Sequence, residues 1–381
     1  MDVNKIGIFY SKEIKKGGGP SGYLYNLREA LRGGTHQIEF IFPKEQNYAF
    51  LLLIGRVFAS ILPVRKIRHK VREYLYGRHI ANCINACSGI VAIMFHSCSD
   101  INLVKKLWDK GYIKRNKPKF VLMSHSPVLP SFELQEQADY CKSSVDIVEL
   151  KNADITALKL ADLVIAPSKN AMNAYREELP ELMSQKDIRY IVTGCPPLDR
   201  FDKDEVRKKY NIKTKFVICY VGRHWKVKGY DRLLYIAQKI LQMRNDVTFL
   251  IAGKQNPAIK PLFHSRWIEL GWADPAEVFC CSDIFLMPSR ESYFDLVIPE
   301  ALSTGLKCII SNVGGNIDFS RMCSHIDLFS NDKEAIERVN QYLALPERER
   351  CNISKEIIVC YQKMFNLQSF AKSYIEFSAS V

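Results

Sequence analysis

Two cations five residues apart, Arg223 and Lys228, stand where a phosphate group could bind. They follow the apolar run 216–221, which predicts a β-strand, and they precede an amphipathic helical pattern that begins near Tyr230. In parallel α/β proteins, ligands bind at the carboxyl ends of strands, and helix N-termini attract phosphate. Glycines on both sides of the two cations let the backbone approach a ligand closely. We therefore predict a diphosphate site here, and the alternative is a solvated basic turn.

An acidic segment about seventy residues further on could hold the hydroxyl groups of a sugar. A predicted strand ends at Met287, and a helical pattern starts at Leu296 after a short loop. The first backbone N–H groups of that helix, those of Leu296 and Val297, could donate to phosphate oxygens. Glu300 could accept hydrogen bonds from both hydroxyls of a ribose, and Glu291 from the hydroxyls of a hexose. The alternative for Glu300 is a salt bridge or a helix cap.

A glycine-rich turn follows the first predicted strand and opens a predicted helix. Its sequence, Gly17 to Gly22, satisfies the GxGxxG pattern of dinucleotide sites. Seven residues separate the turn from the strand, however, and Glu39 lies inside its own strand, so the context excludes a dinucleotide site. Gly18 and Gly19 could instead let a phosphate or a sugar approach the backbone. The alternative is a flexible loop.

Two histidines follow predicted strands. His125 comes just after the strand 119–123 and before a loop that contains prolines, and His96 follows the strand 89–95. A neutral imidazole at a strand end could hydrogen-bond a sugar hydroxyl or carry a proton. We predict that His125 has such a role and that His96 is structural.

The elements that position these residues alternate along the whole chain. Apolar runs separated by helical patterns indicate parallel α/β sheets, and two successive series indicate two doubly wound domains. The stretch 193–201, with one glycine and two prolines, predicts the junction. We therefore expect domains at 1–195 and 196–360, and a final helix at 361–381 that crosses back to the first domain. The predicted strands are 5–9, 38–42, 89–95, 119–123, 162–166, 190–192, 216–221, 248–252, 268–270, 284–287 and 307–310.

The composition is that of a globular protein in a reducing compartment. The chain has 381 residues, of which 47% are apolar and 25% charged, and this length favours two cores over one. Twelve cysteines are scattered without a CxxC pair, which predicts free thiols and a cytoplasmic location. The N-terminal sequence has no apolar segment behind a basic start, so we predict no secretion signal.

Two sequence patterns suggest a metal, and neither is convincing. The residues Cys83, Cys87, His96 and Cys98 are close in sequence, but their spacing matches no standard zinc site. Asp202 and Asp204 form a DxD, a metal–diphosphate signature in some transferases, but a charged helical pattern follows immediately. We predict that these two acids cap a helix and that the chain holds no metal.

The formal charge of +13 predicts an anionic partner. Residues 49–78 combine a 16-residue apolar run with seven Lys or Arg residues and one acid. The run is shorter than the roughly 20 residues that span a bilayer, so we predict no transmembrane helix. One interpretation is peripheral attachment to an anionic membrane surface, and the other is a core helix followed by a solvated helix. Few aromatic residues accompany the basic ones and no nucleic-acid motif is present, so no nucleic-acid partner is expected.

The order and spacing of these motifs resemble the family 4 glycosyltransferases of the GT-B fold over most of the chain. The GR-x4-KG turn with Arg223 and Lys228 resembles the diphosphate clamp of that family, and the segment 294–305 resembles its EFGLV-x-LEAMA-x-G segment. The other matches are the strand 161–168 with the pattern AD-x-VIA-x-S, the linker 194–201, the glycine turn of Gly18 and Gly19, and His125 at the position of the active-site histidine.

The sequence departs from the family pattern at two positions. Eight residues separate Glu291 from Glu300, where the family has seven, so strict spacing would put Ser292 at the first acidic position. Asp295 stands where the family usually has a glycine. We expect a one-residue bulge that keeps Glu291 in the site.

The resemblance implies two Rossmann-like domains that face each other across a cleft. It implies transfer of a hexose from a nucleoside-diphosphate sugar to a glycan or lipid-linked glycan, with retention and an α-linkage. A UDP-sugar is the favoured donor and GDP-mannose the alternative. Arg223, Lys228 and the helix N-terminus would neutralise the leaving diphosphate, so that no metal or other cofactor is needed. The implied catalytic residues are His125, Arg223, Lys228 and Glu291, and the implied donor-binding residues are Gly18, Gly19, Arg223, Lys228, Asp295, Leu296, Val297 and Glu300.

Two other functions stay open at this point. One is a nucleotide-sugar epimerase or a phosphorylase on the same fold, which would bind a similar ligand. The other is a nucleic-acid-binding protein, which only the net charge supports. The expected location is cytoplasmic and peripheral on the inner face of the cell membrane.

Overall fold

The computed structural model describes residues 4–17, 19–45, 65–141 and 146–381. The chain forms two compact units, the first of Met1–Ala166, Tyr175–Ile191 and Ala371–Val381 and the second of Pro167–Ala174 and Val192–Phe370. Each unit is built on a six-stranded parallel sheet. The predicted class of two doubly wound α/β domains is confirmed.

The sheet of the first unit consists of β1 (Lys5–Phe9), β2 (Ile38–Ile41), β3 (Ile90–Phe95), β4 (Lys119–Leu122), β5 (Leu163–Ala166) and β6 (Ile188–Tyr190). The strands lie in the order β2-β1-β3-β4-β5-β6. Their apolar runs are nearly continuous because helices cover parallel sheets on both faces. The chain adds β2 on one side of β1 and β3 on the other, so the winding reverses between β1 and β3. Ligands of such sheets bind at this reversal, beyond the carboxyl ends of the strands.

The sheet of the second unit repeats this plan. It consists of β7 (Phe216–Val221), β8 (Val247–Ala252), β9 (Trp267–Gly271), β10 (Ile284–Met287), β11 (Lys307–Ser311) and β12 (Asp327–Phe329). The strand order is β12-β11-β10-β7-β8-β9, so the winding reverses between β7 and β10. The cations after β7 and the acidic segment after β10 therefore follow the two strands at the reversal.

Helices cover both sheets. Those before the junction are Gly19–Ala30, Arg65–Ala86, Cys98–Asp109, Pro130–Cys141, Ile147–Leu160, Asn173–Glu178 and Pro180–Ser184. Those after it are Lys203–Lys209, Tyr230–Met243, Pro275–Cys280, Val297–Ser303, Asn316–Met322, Asp332–Ala344, Glu347–Met364 and Leu367–Ala379.

The helix Tyr230–Met243 shows how the second core positions the candidate site. Its apolar residues recur at helical spacing, and Leu233, Ile236 and Ile240 are fully buried against the sheet. Burial of such side chains contributes about 1.5–3 kcal/mol each. This packing fixes the helix N-terminus, and with it the turn that carries the two cations.

Sequence patterns located most strands within two residues. The sixth strand was predicted at 190–192 and lies at Ile188–Tyr190, and β12, a three-residue strand that begins with an acid, was not predicted. Residues 191–202, which include the stretch 193–201 predicted as the junction, contain no helix or strand. Asp202 caps the helix Lys203–Lys209 by accepting from the backbone N–H groups of Asp204 and Glu205. The predicted helix cap is confirmed for Asp202, and Asp204 lies in the first turn of the helix.

The basic segment 49–78 lies largely outside the described residues. Its part from Arg65 onward belongs to the helix Arg65–Ala86. Over the described ranges, no helix is both long and apolar enough to cross a membrane.

Candidate functional site

The turn after β7 presents Arg223 to solvent. The Tyr220 hydroxyl donates to the backbone oxygen of Arg223 at 2.8 Å, and the Trp225 backbone N–H donates to the same oxygen at 2.8 Å. These bonds fix the backbone and leave the side chain outside. In the part of the chain that the structure describes, the exposed guanidinium of Arg223 contacts no acidic partner. It is available for an anion.

The turn rests on a buried aromatic stack that the sequence did not reveal. The His224 ring lies parallel to the Tyr230 ring, with centroids 4.0 Å apart, and His224 is only 2% exposed. Burial lowers the pKa of His224, which is therefore neutral at pH 7. The hydroxyl of Tyr230 donates to Glu269, which also accepts from the Trp267 indole at 3.1 Å. This stack holds the backbone between the two cations in place.

Gly229 allows the turn to pack against the segment that follows β10. Its φ of 67° is in the left-handed region, and a Cβ atom there would lie 1.7 Å from the carbonyl oxygen of Pro288. Arg290 completes the contact, since its backbone N–H donates to Val227 at 2.9 Å and its guanidinium binds the Asp231 carboxylate at 2.6 and 2.7 Å. The basic turn (222–229) and the acidic segment (288–305) thus form one surface of the second unit.

Lys228 lies in this surface and is paired with Asp295. The Lys228 ammonium is 2.5 Å from one carboxylate oxygen of Asp295, and the Ser292 hydroxyl donates to the other at 3.1 Å. The ionic side chains are 16% and 19% exposed. The resemblance predicted both residues in the donor site. It did not predict their ion pair, because 67 positions separate them in the sequence.

The structure separates the two candidates for the first acidic position. Ser292 is 1% exposed, and its carbonyl oxygen accepts from Gly315 at 2.9 Å. A Cβ atom at Gly315 would lie 1.9 Å from the Tyr293 carbonyl oxygen, so this close approach requires glycine. Glu291 is partly exposed, and its backbone N–H is 3.5 Å from Val227 in the basic turn. Glu291 is therefore the residue beside the cations, whereas Ser292 points into the protein.

Glu300 lies in the first turn of the helix Val297–Ser303, which begins after Leu296. The residue is partly buried. Burial, together with the charge of Glu300, raises the pKa of the Cys195 thiol. The backbone N–H groups of Leu296 and Val297 are at the start of this helix, where intrahelical acceptors are missing.

In the first unit, the glycine turn lies after β1 at the point where the winding reverses. Gly19 begins the helix Gly19–Ala30 with a φ of 71°, and Gly18 lies outside the described residues. A Cβ atom at Gly22 would lie 1.4 Å from the Gly17 carbonyl oxygen. The Ser21 hydroxyl accepts from the backbone N–H of Lys15 at 2.5 Å. The turn is therefore tight and internally bonded.

His125 forms a hydrogen bond to His96, a contact that the sequence patterns did not predict. β3 and β4 are neighbours with Phe95 opposite Leu122, so the residues after them meet, and the two ring nitrogens are 2.8 Å apart. Tyr23 packs against both rings, and its ring centroid lies 5.5 Å from that of His96 and 4.7 Å from that of His125. His96 is 1% exposed, whereas His125 is partly exposed.

Burial keeps both histidines neutral. It lowers the pKa of His125 to about 3, and it lowers that of His96 well below the ordinary value, with a smaller effect from His125. Between two neutral rings, one of the two bonded nitrogens carries the hydrogen and the other accepts it, so the tautomer of one ring fixes that of the other. The sequence placed both residues correctly at strand ends, and the adjacency of β3 and β4 was the missing information.

The four residues that suggested zinc have other contacts. Cys87 donates to the Cys83 carbonyl oxygen at 3.2 Å, and burial raises the pKa of Cys83. His96 is bonded to His125. Within the described ranges, no group of three or more His, Cys, Asp or Glu side chains is arranged to hold a metal ion.

Comparison with known proteins relates this chain to sugar transferases. The family model described as "Glycosyl transferases group 1" matches residues 215–342, which include the basic turn and the acidic segment. Spore coat protein SA of Bacillus subtilis (strain 168) is 30% identical over 281 residues, covering 68% of this chain and 71% of that protein. An Escherichia coli protein named UDP-Gal:alpha-D-GlcNAc-diphosphoundecaprenol alpha-1,3-galactosyltransferase is 34% identical over 115 residues, 27% of this chain and 30% of that protein. The chain spans less than half the length of two of its curated relatives, 44% and 30%.

Among solved structures, the crystal structure of Anabaena Alr3699/HepE in complex with UDP-glucose is similar in fold. The TM-score is 0.66 at 16% identity, with 99% of this chain and 100% of that chain covered. This similarity shows the GT-B fold.

Proposed function

Because the chain belongs to the group 1 glycosyltransferases and has the GT-B fold, we propose that it transfers a hexose from a nucleoside-diphosphate sugar with retention of configuration. The observation that carries this proposal is the placement of Arg223 and Lys228 at the winding reversal of the second sheet, beside Glu291. Two cations and a carboxylate in one surface suit a ligand with a diphosphate and a sugar.

In the proposed reaction, Arg223 and Lys228 stabilise the negative charge that develops on the leaving diphosphate. Cations placed beside a developing negative charge stabilise it electrostatically, and such stabilisation accounts for most of the rate enhancement in many enzymes. Glu291 and His125 bind the hexose, and Glu300 binds the ribose. The backbone N–H groups of Leu296 and Val297, with those of the Gly18–Gly19 turn, take phosphate oxygens. We propose that these groups suffice without a metal or another cofactor.

A UDP-sugar is the proposed donor, with GDP-mannose as the alternative. The fold neighbour from Anabaena was solved with UDP-glucose, and the relative from Escherichia coli is named for UDP-Gal. That relative is also named for a diphosphoundecaprenol-linked acceptor. These names support a glycan or lipid-linked glycan as acceptor, and an α-linkage as product.

Peripheral membrane attachment fits an acceptor of this kind. We propose that the basic segment 49–78 binds the anionic inner face of the cell membrane and that the protein works from the cytoplasm. Each Lys or Arg near such a surface contributes about 1 kcal/mol.

The first test is a thermal-shift screen against UDP-sugars and GDP-sugars with wild type and Lys228→Ala. We expect one donor class to raise the melting temperature of wild type but not of the variant. Product analysis with that donor then separates the activities. A transferase releases nucleoside diphosphate in proportion to added acceptor, an epimerase changes the sugar without releasing nucleotide, and a phosphorylase consumes inorganic phosphate. Equal stabilisation of wild type and Lys228→Ala would contradict the proposed clamp.

A further inference from the structure

The basic turn carries three cations, and the two assigned to the diphosphate, Arg223 and Lys228, differ in their partners. Arg223 is exposed and has no acidic partner among the residues that the structure describes, whereas Lys228 is 2.5 Å from Asp295 in a largely buried ion pair. Ser292 donates to the second oxygen of the same carboxylate at 3.1 Å, so both oxygens of Asp295 are engaged. Lys228 is therefore partly neutralised before any ligand arrives.

Two neighbouring cations are also paired with acids within the protein. Arg290 binds Asp231 at 2.6 Å, and Arg232 binds Asp332 at 2.7 Å. The field of Asp295 also reaches Tyr220 under the turn, since burial and then the Asp295 charge raise the Tyr220 pKa, while Arg223 opposes the shift. Asp295 is thus the carboxylate that most directly offsets the positive charge of the proposed diphosphate site.

A diphosphate and the Asp295 carboxylate compete for one ammonium group. Both are anions, and at separations of a few ångströms in a partly buried site they repel each other strongly. Binding of the diphosphate therefore requires Lys228 to turn from Asp295 or to divide its hydrogen bonds between two anions. Either route lowers the affinity for every ligand with a diphosphate, including the nucleoside diphosphate that the reaction produces.

We propose that Asp295 is an internal counterion of Lys228 that the diphosphate displaces, and that it limits product affinity so that the nucleoside diphosphate leaves. This inference rests on the proposed function and adds Asp295 as a residue that sets the affinity for the nucleoside diphosphate. Asp295 positions Lys228 before the ligand binds and opposes the ligand once it is bound. A site without this carboxylate would bind the product more tightly and turn over more slowly wherever product release limits the rate.

The test is calorimetric titration of UDP and of GDP into wild type, Asp295→Asn and Lys228→Ala at fixed ionic strength. Asp295→Asn removes the charge, and its amide oxygen can still accept from Ser292. We expect its Kd for the better nucleotide to be at least about fivefold lower than that of wild type. We expect Lys228→Ala to bind at least about tenfold more weakly. In the double variant, the gain from Asp295→Asn shrinks because no ammonium remains to be released.

Two controls separate this effect from other causes. Asp246→Asn makes the same charge change at the amino end of β8, where Asp246 pairs with Arg244, and should leave the Kd unchanged. Asp295→Ser repeats the charge change with a smaller side chain and should also tighten binding. If wild type binds the nucleotide and neither Asp295 variant binds it more tightly, the inference is overturned and the proposed function is not. Absence of nucleotide binding in wild type and in both variants would overturn the proposed function, and the inference with it.

Discussion

At the scale of single residues, Glu291 and Ser292 have different places although they are neighbours. Glu291 is partly exposed beside the basic turn, and Ser292 is buried with its hydroxyl on Asp295. The spacing of acids in the sequence left both as candidates for the first acidic position. Sequence spacing could not decide between them, because the tight approach of Gly315 to Tyr293, which orients the segment, is visible only in three dimensions.

We predict that Glu291→Gln lowers kcat/KM by about 10- to 100-fold, because a hydrogen bond from a hexose hydroxyl to a carboxylate is worth about 1.5–3 kcal/mol. Ser292→Ala should change kcat/KM by less than about fivefold, since it removes only one bond to Asp295. Steady-state kinetics with the best donor measure both. A larger loss in Ser292→Ala than in Glu291→Gln would mean that the segment is turned the other way.

At the scale of elements, strands and their ends were predictable, and side-chain pairs between elements were not. The apolar runs located β7 and β10, so the sequence correctly placed Arg223 and Lys228 after a strand. The bond of His96 to His125 depends on β3 and β4 being neighbours, and the pair of Lys228 with Asp295 depends on β7 and β10 being neighbours. Such adjacency follows from the strand order, which local patterns do not encode.

The turn from β7 into the helix Tyr230–Met243 depends on Gly229. We predict that Gly229→Ala destabilises the protein by more than about 2 kcal/mol, since it adds a clash with the Pro288 carbonyl to the strain of a left-handed backbone. Gly271→Ala is the matched control, because Gly271 has a φ of 65° and no atom within 4 Å of the added Cβ. Urea denaturation of both variants measures the difference. Equal destabilisation would show that the close contact is not required.

The histidine pair makes the stability of the first unit depend on pH. Both histidines have a folded-state pKa below the unfolded value of about 6.5, so the unfolded state binds more protons as the pH falls. Their contribution is complete above pH 6.5 and decreases below it. A histidine that stays neutral in the folded state over this range removes about 2 kcal/mol from the free energy of unfolding between pH 7 and pH 5.

The measurement compares wild type with His96→Asn, whose amide can still bond to His125 but does not titrate. We expect the variant to lose about 2 kcal/mol less than wild type when urea denaturation is repeated at pH 5 and pH 7. Burial raises the pKa values of Asp100 and Asp154, so these acids change the free energy of unfolding with pH in the direction opposite to the histidines. Their contributions are the same in both proteins and cancel in the comparison. The same pH dependence in both proteins would show that His96 is not buried as a neutral ring.

At the scale of the whole molecule, the charge of +13 is the feature that the two sheets do not explain. One basic residue of the segment has an aromatic partner, since the guanidinium of the exposed Arg78 lies 4.6 Å from the centre of the Tyr112 ring. The remaining basic residues up to position 72 are the ones proposed for a membrane surface.

We predict that the protein floats with vesicles that contain anionic phospholipid and not with neutral vesicles. Replacing Arg65, Lys66, Arg68, Lys70 and Arg72 by Gln should abolish this binding at physiological salt, whereas Arg78→Gln should not. Flotation of wild type with neither kind of vesicle would contradict membrane attachment, without affecting the donor site.

The proposed function depends above all on Arg223 and Lys228 neutralising a leaving nucleoside diphosphate. The most direct test is acceptor-dependent release of nucleoside diphosphate by wild type, Arg223→Ala, Lys228→Ala and Lys213→Ala. Lys213 precedes the amino end of β7, so its variant makes the same charge change at the opposite end of the strand. We expect wild type and Lys213→Ala to release the nucleotide at equal rates, and each clamp variant to be at least about 100-fold slower. Release by Lys228→Ala and Arg223→Ala at the rate of wild type would contradict this role.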